Sequence, residues 1–147
     1  MNDNEIEILL VEDSKEDADL TIRALKKKNL ANKLVHLKDG VEALDFIYGT
    51  GAYEGQRTNF NPRVILLDLK MPRLNGMQVL QKIKSDPQTK KIPVVILTSS
   101  AEDPDIDTAY KLGANSYIVK PVEFDNFSQL VTDLGMYWLV SNRPPDR

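Results

Sequence analysis

The sequence predicts an α/β fold in which a parallel β-sheet is covered by helices on both faces. Five short apolar segments recur along the chain, and each is followed by a stretch with apolar residues at helical spacing. The segments are apolar throughout rather than alternating, which is typical of parallel strands that are buried on both faces. Connections between such strands are right-handed, and they place the helices in layers above and below the sheet.

Each predicted strand is a run of four to six mostly apolar residues that contains β-branched side chains. The second run is the weakest, because Lys33 and His36 interrupt it. The five predicted strands are Ile6–Val11, Lys33–Leu37, Val64–Asp68, Pro93–Thr98 and Ser116–Val119.

The first two helices carry clear signals at their ends. Ser14 and Asp17 form a capping-box pattern at the start of the first helix. The lysine run 26–28 closes that helix, where positive charge suits the helix dipole. The second helix begins at Asp39, and Gly49 ends it, because glycine readily adopts the left-handed conformation of a helix stop.

The last three helices follow the third, fourth and fifth strands. Asn75 opens one helix, and Asp86 before a proline ends it. A shorter helix is predicted over Asp105–Leu112, with Gly113 as its stop. The final helix has apolar residues on one predicted face, namely Phe124, Phe127, Leu130, Leu134 and Trp138.

The segment Gly49–Pro62 is long for a connection inside a compact domain. It is rich in Gly and Asn, and Tyr53 and Phe60 are its aromatic residues. Its composition fits a functional loop and a tolerated insertion equally well.

Composition predicts a single soluble domain over residues 1–147, with a core at about 5–141 and a frayed tail at 142–147. The net charge of −3 argues against nucleic-acid binding, and no apolar run is long enough to span a membrane. The chain has no cysteine, which excludes disulfides and thiolate metal sites and fits a cytoplasmic location.

Polar side chains follow several of the predicted strands at their carboxyl ends. Glu12 and Asp13 follow the first strand, Asp68 ends the third, Thr98 ends the fourth and Lys120 follows the fifth. These strand ends share one edge of the sheet, where open α/β sheets bind ligands. Three carboxylates in one place repel each other unless a cation lies among them, and an open oxygen site of this kind favours Mg²⁺.

The same set of residues fits phosphoryl transfer, which depends on positioning and charge neutralisation. Asp68 would be the nucleophile, and a metal would neutralise two phosphoryl oxygens. Lys120 would pair with another oxygen and the Thr98 hydroxyl with the third.

In these residues the chain resembles the receiver domains of two-component response regulators. The resemblance extends from about Glu5 to Ser141, and it implies a flavodoxin-like (βα)5 three-layer sandwich with a parallel sheet in strand order 2-1-3-4-5. The motifs that carry it are Glu12-Asp13, Asp68 with Met71-Pro72 and Asn75-Gly76, Thr98, and Tyr117-x-x-Lys120-Pro121.

The resemblance assigns a phosphoacceptor and a metal site. Asp68 resembles the phosphorylated aspartate, and Glu12 and Asp13 resemble the Mg²⁺ acids, with a backbone carbonyl supplied by Lys70. Glu12 stands where an aspartate is usual, which lengthens one arm of the site.

It also assigns a switch. Thr98 and Tyr117 resemble the switch residues, Lys120 resembles the phosphate-binding lysine, and Lys120–Pro121 is expected to be a cis peptide.

A stand-alone receiver would accept a phosphoryl group from a partner histidine kinase. It would then signal to an unknown downstream protein, or through dimerisation. The segment Gly49–Pro62 and the aromatic last helix give a weaker resemblance to cyanobacterial phytochrome-associated regulators, which would imply a phytochrome kinase and a homodimer. Five consecutive apolar residues in that helix cover more than one face, which predicts an interaction surface at Met136, Tyr137, Trp138 and Val140.

Three other classes of protein share parts of this pattern. A metal phosphohydrolase with an aspartyl nucleophile needs an acid two residues later, where this chain has Lys70. A flavodoxin-like cofactor binder needs a phosphate-binding first loop, but residues 12–17 carry four acids. A phosphorylation-independent adaptor is the main alternative, although it has no need of three repelling carboxylates. We therefore expect no enzyme activity beyond self-phosphorylation and autodephosphorylation, and no role for His36.

Overall fold

The computed structural model describes residues 6–55 and 61–144, and it contains a five-stranded parallel sheet in the order β2-β1-β3-β4-β5. This confirms the predicted fold and strand order. The strands are β1 (Ile8–Val11), β2 (Leu34–Leu37), β3 (Val64–Leu67), β4 (Val94–Thr98) and β5 (Ser116–Val119). The helices are α1 (Lys15–Lys26), α2 (Gly40–Tyr48), α3 (Gly76–Ser85), α4 (Asp103–Lys111) and α5 (Phe124–Gly135).

The core consists of two apolar layers, one on each face of the sheet. Alternate residues of β1 point to opposite layers, because successive side chains of a strand lie on opposite faces. Leu9 and Val11 pack with α2, α3 and α4, whereas Ile8 and Leu10 pack with α1 and α5. All four residues of β1 are buried, which explains why the sequence shows an apolar run instead of an alternation.

Two glycines bring the loop after β3 close to its neighbours. A Cβ atom at Gly76 would lie 2.1 Å from the carbonyl oxygen of Asp68, and one at Gly40 would lie 2.1 Å from that of Leu74. No side chain fits either distance. The loop that follows Asp68 is therefore held tightly between the starts of α2 and α3.

The first part of the long segment after α2 packs onto that helix. Residues Gly51–Tyr53 form a short 3-10 turn, and the Thr50 hydroxyl donates to Asp45 Oδ1 at 2.9 Å. The rings of Phe46 and Tyr53 meet edge to face, with centroids 5.1 Å apart. Residues 56–60, which include Phe60, lie outside the described part of the chain.

The carboxyl-terminal helix differs from the prediction in which side chains it buries. It continues beyond Gly135 as a π-helix over Met136–Ser141. Trp138 is only 8% exposed and packs in the same layer as Phe127, so its assignment to an interaction surface is wrong. Phe124 begins the helix and is 52% exposed, so it lies beyond the buried face. Within the described residues, no helix combines the length and apolar character needed to cross a membrane.

Candidate functional site

The three predicted acids meet at the carboxyl edge of the sheet. Glu12, Asp13 and Asp68 each place a carboxylate oxygen within 4.8 Å of the others. They converge because β1 and β3 are neighbours, and the Asp68 N–H donates to the carbonyl of Val11 at 3.1 Å. Glu12 and Asp68 are buried, whereas Asp13 is exposed and leaves the cluster open on one side. Hard oxygen donors with an open side fit a divalent cation that keeps water ligands.

Lys120 provides the positive charge of the site. Its Nζ lies 2.6 Å from Glu12 Oε1, 2.8 Å from Asp17 Oδ2 and 3.0 Å from Asp68 Oδ2. The side chain is only 8% exposed, so these carboxylates replace the water that an ammonium group would otherwise bind. Burial alone would lower the pKa of Lys120, but its hydrogen bonds to Asp17 and Glu12 and the nearby negative charges raise that pKa above its ordinary value.

The two buried acids have pKa values that move in opposite directions. Burial raises the pKa of Glu12 to about 7, and the Asp68 charge adds to this while Lys120 opposes it. Burial also disfavours the charged form of Asp68, but Lys120, Glu12 and the Thr98 hydroxyl outweigh it and lower the pKa of Asp68. At neutral pH, the Asp68 carboxyl group is therefore ionised, whereas the Glu12 carboxyl group is only partly ionised.

The predicted switch residues are joined through one short loop. Thr98 is fully buried at the end of β4, and its Oγ1 accepts from the Ser100 N–H at 3.5 Å. The Tyr117 hydroxyl donates to the Ser100 carbonyl at 2.9 Å, and its ring packs partly buried against the core. Ser100 is also buried and donates to Asp105 Oδ2 at 2.5 Å. Ser100 therefore links the two switch residues, a role that no local sequence signal indicates.

Two residues beside the acids make contacts that their local sequence does not indicate. The sequence places Asp17 in a capping box, yet its carboxylate contacts Lys120. His36, to which the sequence assigns no role, has its Nε2 2.8 Å from the carbonyl oxygen of Glu12. A carbonyl only accepts, which means that Nε2 carries the hydrogen. The neighbouring β1–β2 register, which pairs Leu10 with His36, creates this contact.

The Lys120–Pro121 peptide is trans, because the described residues contain no cis peptide bond. The predicted cis bond is therefore wrong for this structure. The two isomers of a bond before proline differ by only about 0.5–1 kcal/mol, so a motif alone does not determine which one is present.

For Lys70, the backbone N–H donates to Asp68 Oδ1 at 3.3 Å. This contact places Lys70 beside the acid cluster. The role of its carbonyl as a metal ligand stays a prediction.

Fold and site together define a two-component receiver. The chain matches the response regulator receiver domain family over residues 8–132 and belongs to it. The response regulator Rcp1 of Synechocystis sp. is 39% identical over 132 residues, which cover 90% of this chain and 88% of Rcp1. The Probable methanogenesis regulatory protein FilR2 of Methanothrix harundinacea is also 39% identical, over 94% of this chain and 86% of FilR2.

Solved structures of phytochrome response regulators are closely similar. The phosphorylated cyanobacterial phytochrome response regulator RcpA has a TM-score of 0.88 at 37% identity, covering 97% of this chain and 99% of RcpA. The Mn²⁺-bound form of Rcp1 has a TM-score of 0.87 at 37% identity, covering 96% of this chain and 99% of that one.

Proposed function

We propose that this chain is a response regulator that accepts a phosphoryl group on Asp68 from a partner histidine kinase. The observation that carries this proposal is a buried carboxylate that lies beside two further acids and 3.0 Å from a lysine ammonium, which helps to lower its pKa. A buried acid with a lowered pKa is ready to act as a nucleophile at neutral pH.

The residues of the site have different roles in phosphoryl transfer. An Asp68 carboxylate oxygen forms a bond to phosphorus while the bond to the donor histidine breaks, and that electron pair stays on the imidazole. Lys120 neutralises part of the phosphoryl charge from its position beside Asp68. Mg²⁺, held by Glu12, Asp13 and Asp68 with the Lys70 carbonyl, would supply further charge neutralisation. The chain would turn over no other substrate.

The signal would travel through the loop that joins the switch residues. A phosphoryl group adds a charge of about −1.5 to −2 at neutral pH and draws in the Thr98 hydroxyl. Ser100 contacts both Thr98 and Tyr117, so a shift of Thr98 disturbs the Tyr117 hydrogen bond and the start of α4. The surface of β4, α4 and β5 changes as a result.

We propose that a downstream protein or a second copy of the chain binds a region made of this surface and the exposed side of the last helix. It exposes large apolar side chains, which supports an interaction role. They are Tyr110, Val119, Val122, Phe124, Met136, Tyr137 and Val140.

We propose that the protein is located in the cytoplasm. We also propose that its partner kinase is a phytochrome. The similarity to RcpA and Rcp1 over almost the whole chain supports the choice of kinase, although FilR2 is equally identical to this chain. The rate of phosphoryl transfer from a phytochrome kinase should therefore exceed that from a histidine kinase of another class. Equal rates, or a faster rate from the other kinase, would contradict the phytochrome assignment.

Transfer of a radiolabelled phosphoryl group from a histidine kinase to this chain tests the central step. With Mg²⁺, label should transfer to the wild type and to Asp19→Asn, which removes an exposed acid of α1. Asp68→Asn and Asp68→Ala should accept none. Label that persists in both Asp68 variants would rule out Asp68 as the phosphoacceptor, and partner binding unaffected by these variants would favour an adaptor.

A further inference from the structure

Asp17 contacts the site without belonging to its metal cluster. It lies in the first turn of α1, and the acids that converge among the described residues are Glu12, Asp13 and Asp68. Its Oδ2 lies 2.8 Å from Lys120 Nζ. We propose that Asp17 is a positioning residue that holds the Lys120 ammonium against Asp68 for phosphoryl transfer. This inference rests on the function proposed above.

The local structure around Asp17 frees its side chain for this contact. The backbone N–H of Asp17 donates to Ser14 Oγ at 3.2 Å, and its carbonyl accepts from Thr21 Oγ1 at 2.8 Å. In a capping box the side chain at this position would bond back to the N-cap N–H. Here the Ser14 N–H donates to Glu12 Oε2 at 3.1 Å instead. The Asp17 carboxylate thus reaches a residue 103 positions away in the chain.

Lys120 needs a hydrogen-bond partner whose contact does not change when the site binds a metal and Asp68 takes the phosphoryl group. Lysine is flexible, and its ammonium has three donors to direct. Glu12 and Asp68 are candidate metal ligands, and Asp68 also takes the phosphoryl group, so their bonds to Lys120 must rearrange. The Asp17 contact lies outside that cluster and can persist throughout the reaction. Asp17 therefore limits where the ammonium can move.

Phosphorylation by acetyl phosphate tests the proposal without a kinase. The bond from Asp68 to phosphorus forms as acetate leaves with the electron pair of the broken O–P bond. Asp17→Ala should slow this reaction about tenfold, the loss expected for one charged hydrogen bond. Asp17→Asn, which keeps an acceptor oxygen but not the charge, should fall between Asp17→Ala and the wild type. The matched control Asp19→Asn should react at the wild-type rate.

Mg²⁺ affinity separates positioning from general damage to the site. Calorimetry should give the same Mg²⁺ Kd for the wild type and both Asp17 variants, because Asp17 is not in the metal cluster. Wild-type rates in both variants would overturn the proposal. A loss of Mg²⁺ affinity that parallels the loss of rate would overturn it as well.

A second readout does not depend on phosphorylation. In ¹⁵N NMR spectra of the metal-free protein, the Lys120 ammonium should exchange its protons more slowly in the wild type than in Asp17→Ala, where only Glu12 and Asp68 still bind it. Equal protection in both proteins would overturn the inference. If the wild type accepts no phosphoryl group, the proposed function fails, and the ammonium signal still decides whether Asp17 holds Lys120.

Discussion

The affinity of the site for Mg²⁺ should depend on pH through one residue, Glu12. Its pKa is raised to about 7, and a carboxylate must lose its proton to bind a metal. At pH 6 about nine in ten molecules would carry that proton, and at pH 8 about one in ten. The apparent Kd for Mg²⁺ should therefore be about tenfold weaker at pH 6 than at pH 8, or about 1.4 kcal/mol. Calorimetric titrations at constant ionic strength would measure this change in the Kd for Mg²⁺.

Two variants show whether Glu12 causes this change. Glu12→Gln cannot ionise, so it should bind Mg²⁺ more weakly at every pH and without the tenfold change. His36 contacts the Glu12 carbonyl oxygen at 2.8 Å, so His36→Gln serves as the control and should keep the dependence. A wild-type affinity that is constant from pH 6 to 8 would refute the reasoning, as would a tenfold change that survives in Glu12→Gln.

Three further predictions concern stability, each measured by urea unfolding of the metal-free protein. Trp138→Ala should lose about 3–5 kcal/mol because it empties a core position, whereas Val140→Ser on the exposed side should change stability by about 0.5 kcal/mol at most. Similar losses in the two variants would contradict the placement of Trp138. Lys120→Met should lose about 3 kcal/mol, since it leaves three carboxylates without their cation, and an unchanged stability would contradict the buried ion pairs. Burial lowers the pKa of Lys84 from 10.5 to about 8. Because the unfolded chain then holds the Lys84 proton more tightly than the folded protein, the free energy of unfolding should rise as the pH increases between those two values. That rise should be absent in Lys84→Met.

Much of the fold was predictable because its signals are local. Buried parallel strands appear as apolar runs, and the observed strands fall within the predicted ones. Asn75 and Asp39 cap α3 and α2 with their side chains, and Gly49 ends α2 with a φ of 65°, as their residue types indicate. In each case the residue and its partner lie within one helical turn.

The convergence of the acids was predictable for a different reason. In a parallel sheet all carboxyl ends lie on one edge, so Glu12, Asp13 and Asp68 meet once their strands are neighbours. Strand positions and topology together were sufficient to place them.

The contacts that were missed depend on distant parts of the chain. Asp17 had a complete local explanation as a helix cap, and only the position of β5 brings Lys120 to it. The position of His36 depends on the register between β1 and β2. Trp138 lies on the predicted apolar face of the last helix, but its place in the core rather than at an interaction surface depends on how that helix packs against the sheet. A local pattern carries no information about such pairings.

The central claim is that Asp68 accepts the phosphoryl group. Mass spectrometry of the protein after reaction with acetyl phosphate and Mg²⁺ tests it most directly, with borohydride reduction to mark the acyl phosphate as homoserine. We predict a single modified residue, Asp68, and no modification when Mg²⁺ is chelated. Modification at another residue, or equal modification of Asp68→Asn, would contradict the account.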